Sequence, residues 1–199
     1  MHELSPEYRV QEVRSEAWSD VLRWRNAQRE RLLDARLELA QHDGASRSSR
    51  IASRLDLKIS SYSGRIVGTY WPFRGEPDLR DWGTQVFERG GRIDLPVVIQ
   101  EGWPLEYRIW MPGDPIERGV WSILVPVQGP SVQPDIVIAP VVGFDEAHYR
   151  LGYGCGFFDR MPAIMQRKPL IIAVSYVQSR IPIIYAQPHD ITMDVVLTD

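Results

Sequence analysis

The sequence predicts an α/β fold with a mostly parallel sheet, helices on both faces and an N-terminal helical arm. Short apolar runs alternate with helical patterns along the chain, which is the order that a parallel sheet requires. The run Asp135–Val142 (DIVIAPVV) is almost wholly apolar, as expected for a strand buried on both faces. A glycine-rich turn follows at Arg150–Arg160 and marks the edge of the sheet at which such folds bind ligands.

The N-terminal quarter predicts helices. Residues 1–13 carry no clear pattern and are expected to form a loose leader. Residues 14–57 are rich in helix formers and predict a helical arm, interrupted at His42–Ser46 (HDGAS). We expect this arm and the remaining residues to form a single domain spanning 1–199.

The other elements alternate along the chain. A helix is predicted at Asp78–Arg89, because two consecutive glycines follow it, and another is predicted to start near Phe157. Further strands are predicted at Arg65–Trp71, Arg92–Ile99, Glu106–Trp110, Lys168–Val174 and Asp194–Thr198.

Composition excludes several classes of protein. The 199 residues carry a net charge of -3, which gives no general attraction to nucleic acid. The single cysteine, Cys155, excludes an intramolecular disulfide and a zinc site built from several cysteines. No stretch has the roughly 18 apolar residues that a membrane span needs. We therefore expect a cytoplasmic protein with no nucleic-acid or membrane partner, which is a monomer or a weak homodimer.

The turn RLGYGCGFFDR at 150–160, which we call the glycine loop, is a candidate phosphate site. Gly152, Gly154 and Gly156 permit positive φ values and close approach of the backbone to a ligand. Successive N–H groups of such a turn converge on an anion, and a helix that starts directly afterwards adds its N-terminal dipole. Glycines that only turn a corner remain the alternative, since spacing alone is weak evidence.

The segments around the glycine loop resemble one family. Pro134–Arg160 is similar to the signature of the 5-formyltetrahydrofolate cyclo-ligases, in which a buried strand ends in proline, followed by a Phe-Asp turn and an Arg-Leu-Gly-x-Gly-x-Gly loop. Matching segments occur in the family's order at Ile66–Trp82, Glu88–Pro96, Lys168–Tyr176 and Pro188–Asp199.

This resemblance implies a fold, a reaction and its cofactors. The fold is that of the NagB/RpiA/CoA transferase-like proteins. The reaction closes 5-formyltetrahydrofolate to 5,10-methenyltetrahydrofolate while ATP is split to ADP and phosphate with Mg²⁺. The formyl oxygen is a poor leaving group, so it is phosphorylated before the neighbouring amine attacks.

The resemblance also implies site residues. Arg150 and Tyr153 take the catalytic positions, Asp159 and Asp190 hold Mg²⁺, and Asp194 is a weaker candidate ligand. The implied ATP contacts are Arg25, Arg29, Arg150, Leu151, Gly152, Tyr153, Gly154, Cys155, Gly156, Phe157 and Phe158. The implied folate contacts are Trp71, Glu76, Tyr153, Gly154, Cys155, Gly156 and Phe157.

The residues alone leave other interpretations open for these positions. Glu76 is also compatible with an exposed loop charge, and Trp71 with a core tryptophan. Asp159 and Asp190 are residue types that favour a helix start and a turn.

Three departures from the family pattern separate two functional hypotheses. Arg25 and Arg29 stand where a lysine and an arginine are common, Phe157-Phe158 replaces a tyrosine pair, and Cys155 replaces a glycine or lysine. Arginine and lysine are not equivalent at a phosphate, and the two phenylalanines lack hydroxyls. The first hypothesis is an active cyclo-ligase. The second is a folate- or nucleotide-binding relative whose catalysis is lost or altered.

Overall fold

A computed structural model describes residues 6–100, 103–154, 156–160 and 165–199, without the side chains of 6–16, 158 and 159. Its first helix, α1 (Pro6–Lys58), begins within the stretch expected to be a leader. Proline is favoured at the first helical position, and the residues that follow it include several helix formers. The predicted interruption is a kink at Asp43, whose φ of −148° and ψ of 21° are not helical.

The second helix, α2 (Arg80–Glu88), ends where the sequence predicts. Gly90 adopts a φ of 82°, and its N–H donates to the carbonyl of Phe87, while the N–H of Gly91 donates to Val86. Only glycine takes up such a left-handed conformation without strain, so Gly90-Gly91 terminates the helix. A third helix, α3 (Phe157–Arg160), starts at the predicted residue.

Short strands make up the rest of the regular structure. They are β1 (Ile66–Gly68), β2 (Arg92–Val97), β3 (Glu106–Trp110), β4 (Ile116–Arg118), β5 (Leu124–Pro126), β6 (Ser131–Val132), β7 (Ile136–Pro140), β8 (Gly143–Phe144), β9 (Arg150–Leu151), β10 (Leu170–Val174) and β11 (Val195–Leu197). All five predicted strands and the apolar run 135–142 correspond to observed strands.

The main sheet has the strand order β11-β10-β7-β1-β2-β3-β6. The five strands from β11 to β2 run parallel to one another, whereas β3 and β6 are antiparallel to their neighbours. The predicted α/β class with a mostly parallel sheet is therefore confirmed.

The two faces of the sheet are covered differently. On one face, α1 contributes Ile51 and Leu55 and α2 contributes Trp82 and Val86, all packed in one core with strand residues such as Ile138. On the other face, the described cover consists of the loop residues Leu105 and Met193, Phe144 of the short strand β8 and Phe157 at the start of α3. Helices thus cover the first face fully, while loops dominate the described cover of the second.

One carboxyl group lies deep in the sheet without a partner. Asp94 of β2 is fully buried, and neither of its oxygens accepts a hydrogen bond from any described residue. A Cβ on the neighbouring Gly68 would lie 2.8 Å from Asp94 Oδ1, so glycine leaves the space that this side chain fills. Burial, and then the charge of Asp135, raise the pKa of Asp94 well above its ordinary value, which favours the neutral acid.

None of the helices in the described part of the chain is both long and apolar enough to cross a membrane.

Candidate active site

The glycine loop lies beyond the carboxyl edge of the parallel strands. It leaves β9, which pairs with β8 just after the end of β7. Gly154 has a φ of 99° and Gly156 a φ of 62°, so these two glycines adopt the left-handed conformation. Gly152 does not, and a Cβ placed there would meet no atom within 4 Å. Cys155 lies outside the described residues.

This difference between the glycines predicts different responses to substitution. Gly154→Ala forces a side chain into a left-handed backbone, a strain of about 1–2 kcal/mol, and we expect a roughly tenfold higher KM for ATP. Gly152→Ala is the matched control and should leave KM within about twofold. Steady-state kinetics of both variants check this, and equal KM values for the two would contradict a backbone role of Gly154.

Arg29 of α1 contacts the glycine loop directly. Its Nε donates to the carbonyl of Gly152 at 2.7 Å, and a Cβ at Gly154 would lie 3.7 Å from its Cζ. A second hydrogen bond joins its guanidinium to Asn26, one turn earlier on the helix. The structure therefore brings this predicted ATP contact to the loop.

Arg25, one turn before Arg29, has a different environment. Its Nη2 donates to Asp190 Oδ2 at 2.5 Å, and it also donates to the carbonyls of Ile184 and Tyr185 at 3.0 Å. Burial raises the pKa of Asp190, but the hydrogen bonds from Arg25 and from the N–H of Gln187 outweigh that effect and lower it. Asp190 is therefore an ionised carboxylate beside the site.

The described residues fit a weakly coordinated Mg²⁺. They contain no group of three or more acidic, histidine or cysteine side chains around one point. Mg²⁺ usually needs only one or two carboxylates in addition to phosphates and water. Asp190 offers Oδ1, because its described hydrogen bonds all fall on Oδ2. The side chain of Asp159, the other predicted ligand, lies outside the described part, and exposed His189 is 3.9 Å from Oδ1.

The weaker metal candidate, Asp194, has a structural environment. It accepts hydrogen bonds from Lys168 at 2.8 Å and from the N–H of Ile171 at 2.9 Å. These contacts join the starts of β10 and β11, so Asp194 lies at the amino ends of these strands, opposite the glycine loop.

Glu76 forms a buried cluster with Arg36 and Tyr153, which we call the Glu76 cluster. Tyr153 donates its hydroxyl to Glu76 Oε1 at 3.1 Å, and the N–H of Phe73 donates to Oε2 at 3.0 Å. Arg36 Nη1 lies 3.9 Å from Oε1. Glu76 is only 7% exposed, so it is not the exposed loop charge that the sequence also allowed. Each oxygen keeps a further lone pair for a ligand.

Burial dominates the protonation of this cluster. It raises the pKa of Glu76 to about 7, although the charge of Arg36 and the two hydrogen bonds act in the opposite direction. Burial, and then the charge of Glu76, raise the pKa of Tyr153, which is therefore a neutral hydroxyl donor.

The sequence analysis missed Arg36, although a signal was present. Arg25, Arg29 and Arg36 are spaced i, i+4 and i+11, which places them on one face of a helix. Several other arginines precede Leu39, so spacing by itself does not single this one out.

The predicted contacts Tyr153 and Trp71 lie in two different places, and Tyr153 packs on Phe73, which was not predicted. Phe73 and Tyr153 have ring centroids 5.9 Å apart, whereas the ring of Trp71 meets Trp110 at 5.8 Å. Trp71 also lies under the guanidinium of Arg80, and it is half-buried rather than in the core. Its described ring contacts are therefore with β3 and with the start of α2.

Trp121 is a second residue that the sequence analysis missed. Its ring lies 5.6 Å from that of Phe157 in the glycine loop, and 47% of the residue is exposed. Its φ of 55° and that of Ser122, 60°, are positive, which is unfavourable for both residue types. Trp121 therefore places an exposed aromatic ring next to the glycine loop.

The remaining loop residues have mixed roles. Arg150 donates to the carbonyl of Ile191 at 3.2 Å, which holds it across the base of the loop. Leu151 is buried in a core with Leu32 and Val142, so its side chain anchors the loop. The side chain of Phe158 lies outside the described part.

Comparisons with known proteins agree with this architecture. The model of the 5-formyltetrahydrofolate cyclo-ligase family matches residues 21–199. A protein from Mycolicibacterium smegmatis named 5-formyltetrahydrofolate cyclo-ligase is 31% identical over 71% of this chain and 76% of its own. One of the same name from Haemophilus influenzae is 28% identical over 67% and 73%.

Two solved structures share the fold. The 5,10-methenyltetrahydrofolate synthetase from Mycoplasma pneumoniae superposes with a TM-score of 0.73 at 20% identity, covering 88% of this chain and 98% of its own. The NMR structure of the Aquifex aeolicus 5,10-methenyltetrahydrofolate synthetase gives a TM-score of 0.74 at 26% identity, covering 86% and 88%. The family model covers residues 21–199 and a relative is 31% identical, so the chain belongs to the 5-formyltetrahydrofolate cyclo-ligase family.

Proposed function

We propose that this protein cyclises 5-formyltetrahydrofolate to 5,10-methenyltetrahydrofolate at the expense of ATP, as its relatives' names describe. The proposal rests on two features that lie next to each other at one edge of the sheet. One is the glycine loop with Arg29 beside it, and the other is the buried Glu76 cluster. Tyr153 belongs to both, so an anion-binding turn and a buried carboxylate share a residue.

The glycine loop serves phosphoryl transfer. ATP transfers its terminal phosphoryl group to the formyl oxygen of the folate, which turns that oxygen into a leaving group. N10 then attacks the formyl carbon, phosphate departs, and N10 loses its proton. Such a transfer needs positioning and charge neutralisation rather than a covalent nucleophile. Backbone N–H groups of the loop, Arg29 and Arg150 provide them.

The Glu76 cluster serves folate recognition. The aminopyrimidinone ring of a folate presents neighbouring N–H donors, and a carboxylate accepts two of them at once. Phe73 and Tyr153 offer aromatic faces beside that carboxylate. Trp71, Phe157 and Trp121 are candidates for contacts with the rest of the folate.

The proposed Mg²⁺ ligands are Asp190, whose side chain the structure describes, and Asp159, whose side chain lies outside the described part. When bound with ATP, the ion supplies neutralisation of phosphate charge. Arg25 holds the Asp190 carboxylate in place through Oδ2, so that Oδ1 is the oxygen that would hold the ion. We further propose a single domain that acts in the cytoplasm as a monomer or weak homodimer.

A turnover assay tests the function. Incubation with ATP, Mg²⁺ and 5-formyltetrahydrofolate should produce the absorbance of methenyltetrahydrofolate, with one phosphate released per product. Omission of ATP or Mg²⁺ provides the controls. Folded, concentrated protein without product would contradict the proposal. Binding of both substrates without turnover would revive the alternative of a non-catalytic relative, which the names of the relatives do not favour.

A further inference from the structure

Arg36 of α1 is the most deeply buried arginine in the described part of the chain. Only 1% of the residue is exposed. A buried guanidinium loses its hydration, and this cost is large unless its donors meet acceptors or a counter-charge. An arginine in such a position therefore needs a reason beyond helix formation.

Two segments provide hydrogen-bond acceptors for Arg36 and a third provides a counter-charge, while its Nε donates to none of the described residues. Nη2 donates to the carbonyl of Val141, just beyond the end of β7, and Nη1 donates to the Tyr153 hydroxyl at 3.3 Å. Nη1 also lies 3.9 Å from Glu76 Oε1. One guanidinium thus connects the end of β7, the glycine loop and the loop that follows β1.

The loop that carries Glu76 is seated on α1 beside Arg36. Gly75 has a φ of 72°, and a Cβ there would lie 3.2 Å from Ala40 Cβ and 3.3 Å from the carbonyl of Arg36. The loop therefore crosses the helix at van der Waals distance, which requires glycine. This crossing fixes where Glu76 meets the guanidinium.

The charge of Arg36 lowers the pKa of Glu76. The described groups facing this carboxylate are Arg36 from the helix, Tyr153 from the glycine loop, and the Phe73 N–H and Tyr70 from the loop after β1. Burial raises the pKa of Glu76 to about 7, and Arg36 is the largest of the influences that lower it. Without Arg36 the pKa would rise further, and more of Glu76 would be protonated near pH 7.

We propose that Arg36 is a positioning residue, which orients Glu76 and Tyr153 for the folate and keeps Glu76 ionised while the folate is bound. It acts through these two side chains. The proposal rests on the proposed function, since it assigns Arg36 to the folate half of that site.

Arg36→Met tests the proposal. At pH 7.5 we expect kcat/KM for 5-formyltetrahydrofolate to fall about 30-fold, with KM for ATP within about twofold. The acidic limb of the pH profile of kcat/KM should move upward by about one unit or more. Arg47→Met is the matched control, because Arg47 also lies on α1 in a partly buried ion pair, with Asp199. It should leave the limb in place.

A second variant, Arg36→Lys, tests the proposal if Arg36→Met does not fold. Arg36→Lys keeps the charge but lacks the planar fork that bonds Val141 and Tyr153 at once, so the limb should stay near pH 7 while KM for the folate rises about three- to tenfold. The proposal would be overturned if the acidic limb stays in place in Arg36→Met, or if Arg36→Lys has the wild-type KM for the folate. Turnover by the wild-type protein would still support the proposed function in that case. Wild-type protein without turnover would instead overturn the function and this role with it.

Discussion

Glu76→Gln is expected to lower kcat/KM for 5-formyltetrahydrofolate by about 100-fold, with KM for ATP within about twofold. Glutamine has nearly the same shape, but it replaces one acceptor oxygen by an amide donor and removes the charge. The hydrogen bonds from Tyr153 and the Phe73 N–H already occupy one lone pair on each oxygen. The amide then cannot offer the two remaining acceptors to the folate.

The pKa of Glu76 determines how kcat/KM for the folate changes with pH. The pKa of Glu76 is raised to about 7, so the carboxyl is protonated below that value and ionised above it. Wild-type kcat/KM for the folate should therefore rise about tenfold per pH unit up to about pH 7 and then level off. Glu76→Gln removes the titrating group, so this limb should vanish from its profile.

The control is Asp78→Asn, which neutralises an exposed carboxylate two residues away that pairs with Arg80. Stopped-flow or steady-state measurement from pH 6 to 9 compares both variants with the wild type. Persistence of the acidic limb in Glu76→Gln would assign the titration to another group. A change confined to KM for ATP would place Glu76 outside folate recognition.

Asp190→Asn is expected to lower kcat at least about 100-fold at a fixed low Mg²⁺ concentration, with partial recovery as Mg²⁺ is raised. An amide is a weaker ligand for a hard cation than a carboxylate. The variant also leaves the buried Arg25 guanidinium without its counter-charge, a loss of about 1–3 kcal/mol in the free energy of unfolding.

Asp194→Asn separates these two effects. Asp194 is likewise held by a cation, Lys168, and by a backbone N–H, but at the opposite edge of the sheet. Its substitution should leave the Mg²⁺ requirement unchanged. Magnesium titration of activity and thermal unfolding of both variants form the measurement. An unchanged Mg²⁺ requirement in Asp190→Asn would remove Asp190 from the metal site.

Local patterns were sufficient for the elements and the class of the fold. The apolar run 135–142 predicts a buried strand because a strand covered on both faces has no polar positions, and β7 is the middle one of the five parallel strands. Gly90-Gly91 predicts the end of α2 because few other residues adopt a positive φ. The leader prediction was less successful, since α1 begins at Pro6. Propensity without an apolar stripe is a weak guide to a helix start.

The sequence by itself determined the strand–helix alternation, the glycine loop and, through the order of motifs, the family. Only the tertiary structure decided which charges meet. Arg36 and Glu76 are 40 residues apart, and Arg25 and Asp190 are 165 apart. Their pairing depends on where α1 crosses the sheet edge. Local periodicity shows which face of a helix is apolar, but the partner of a charge, and so its pKa, depends on packing between distant segments.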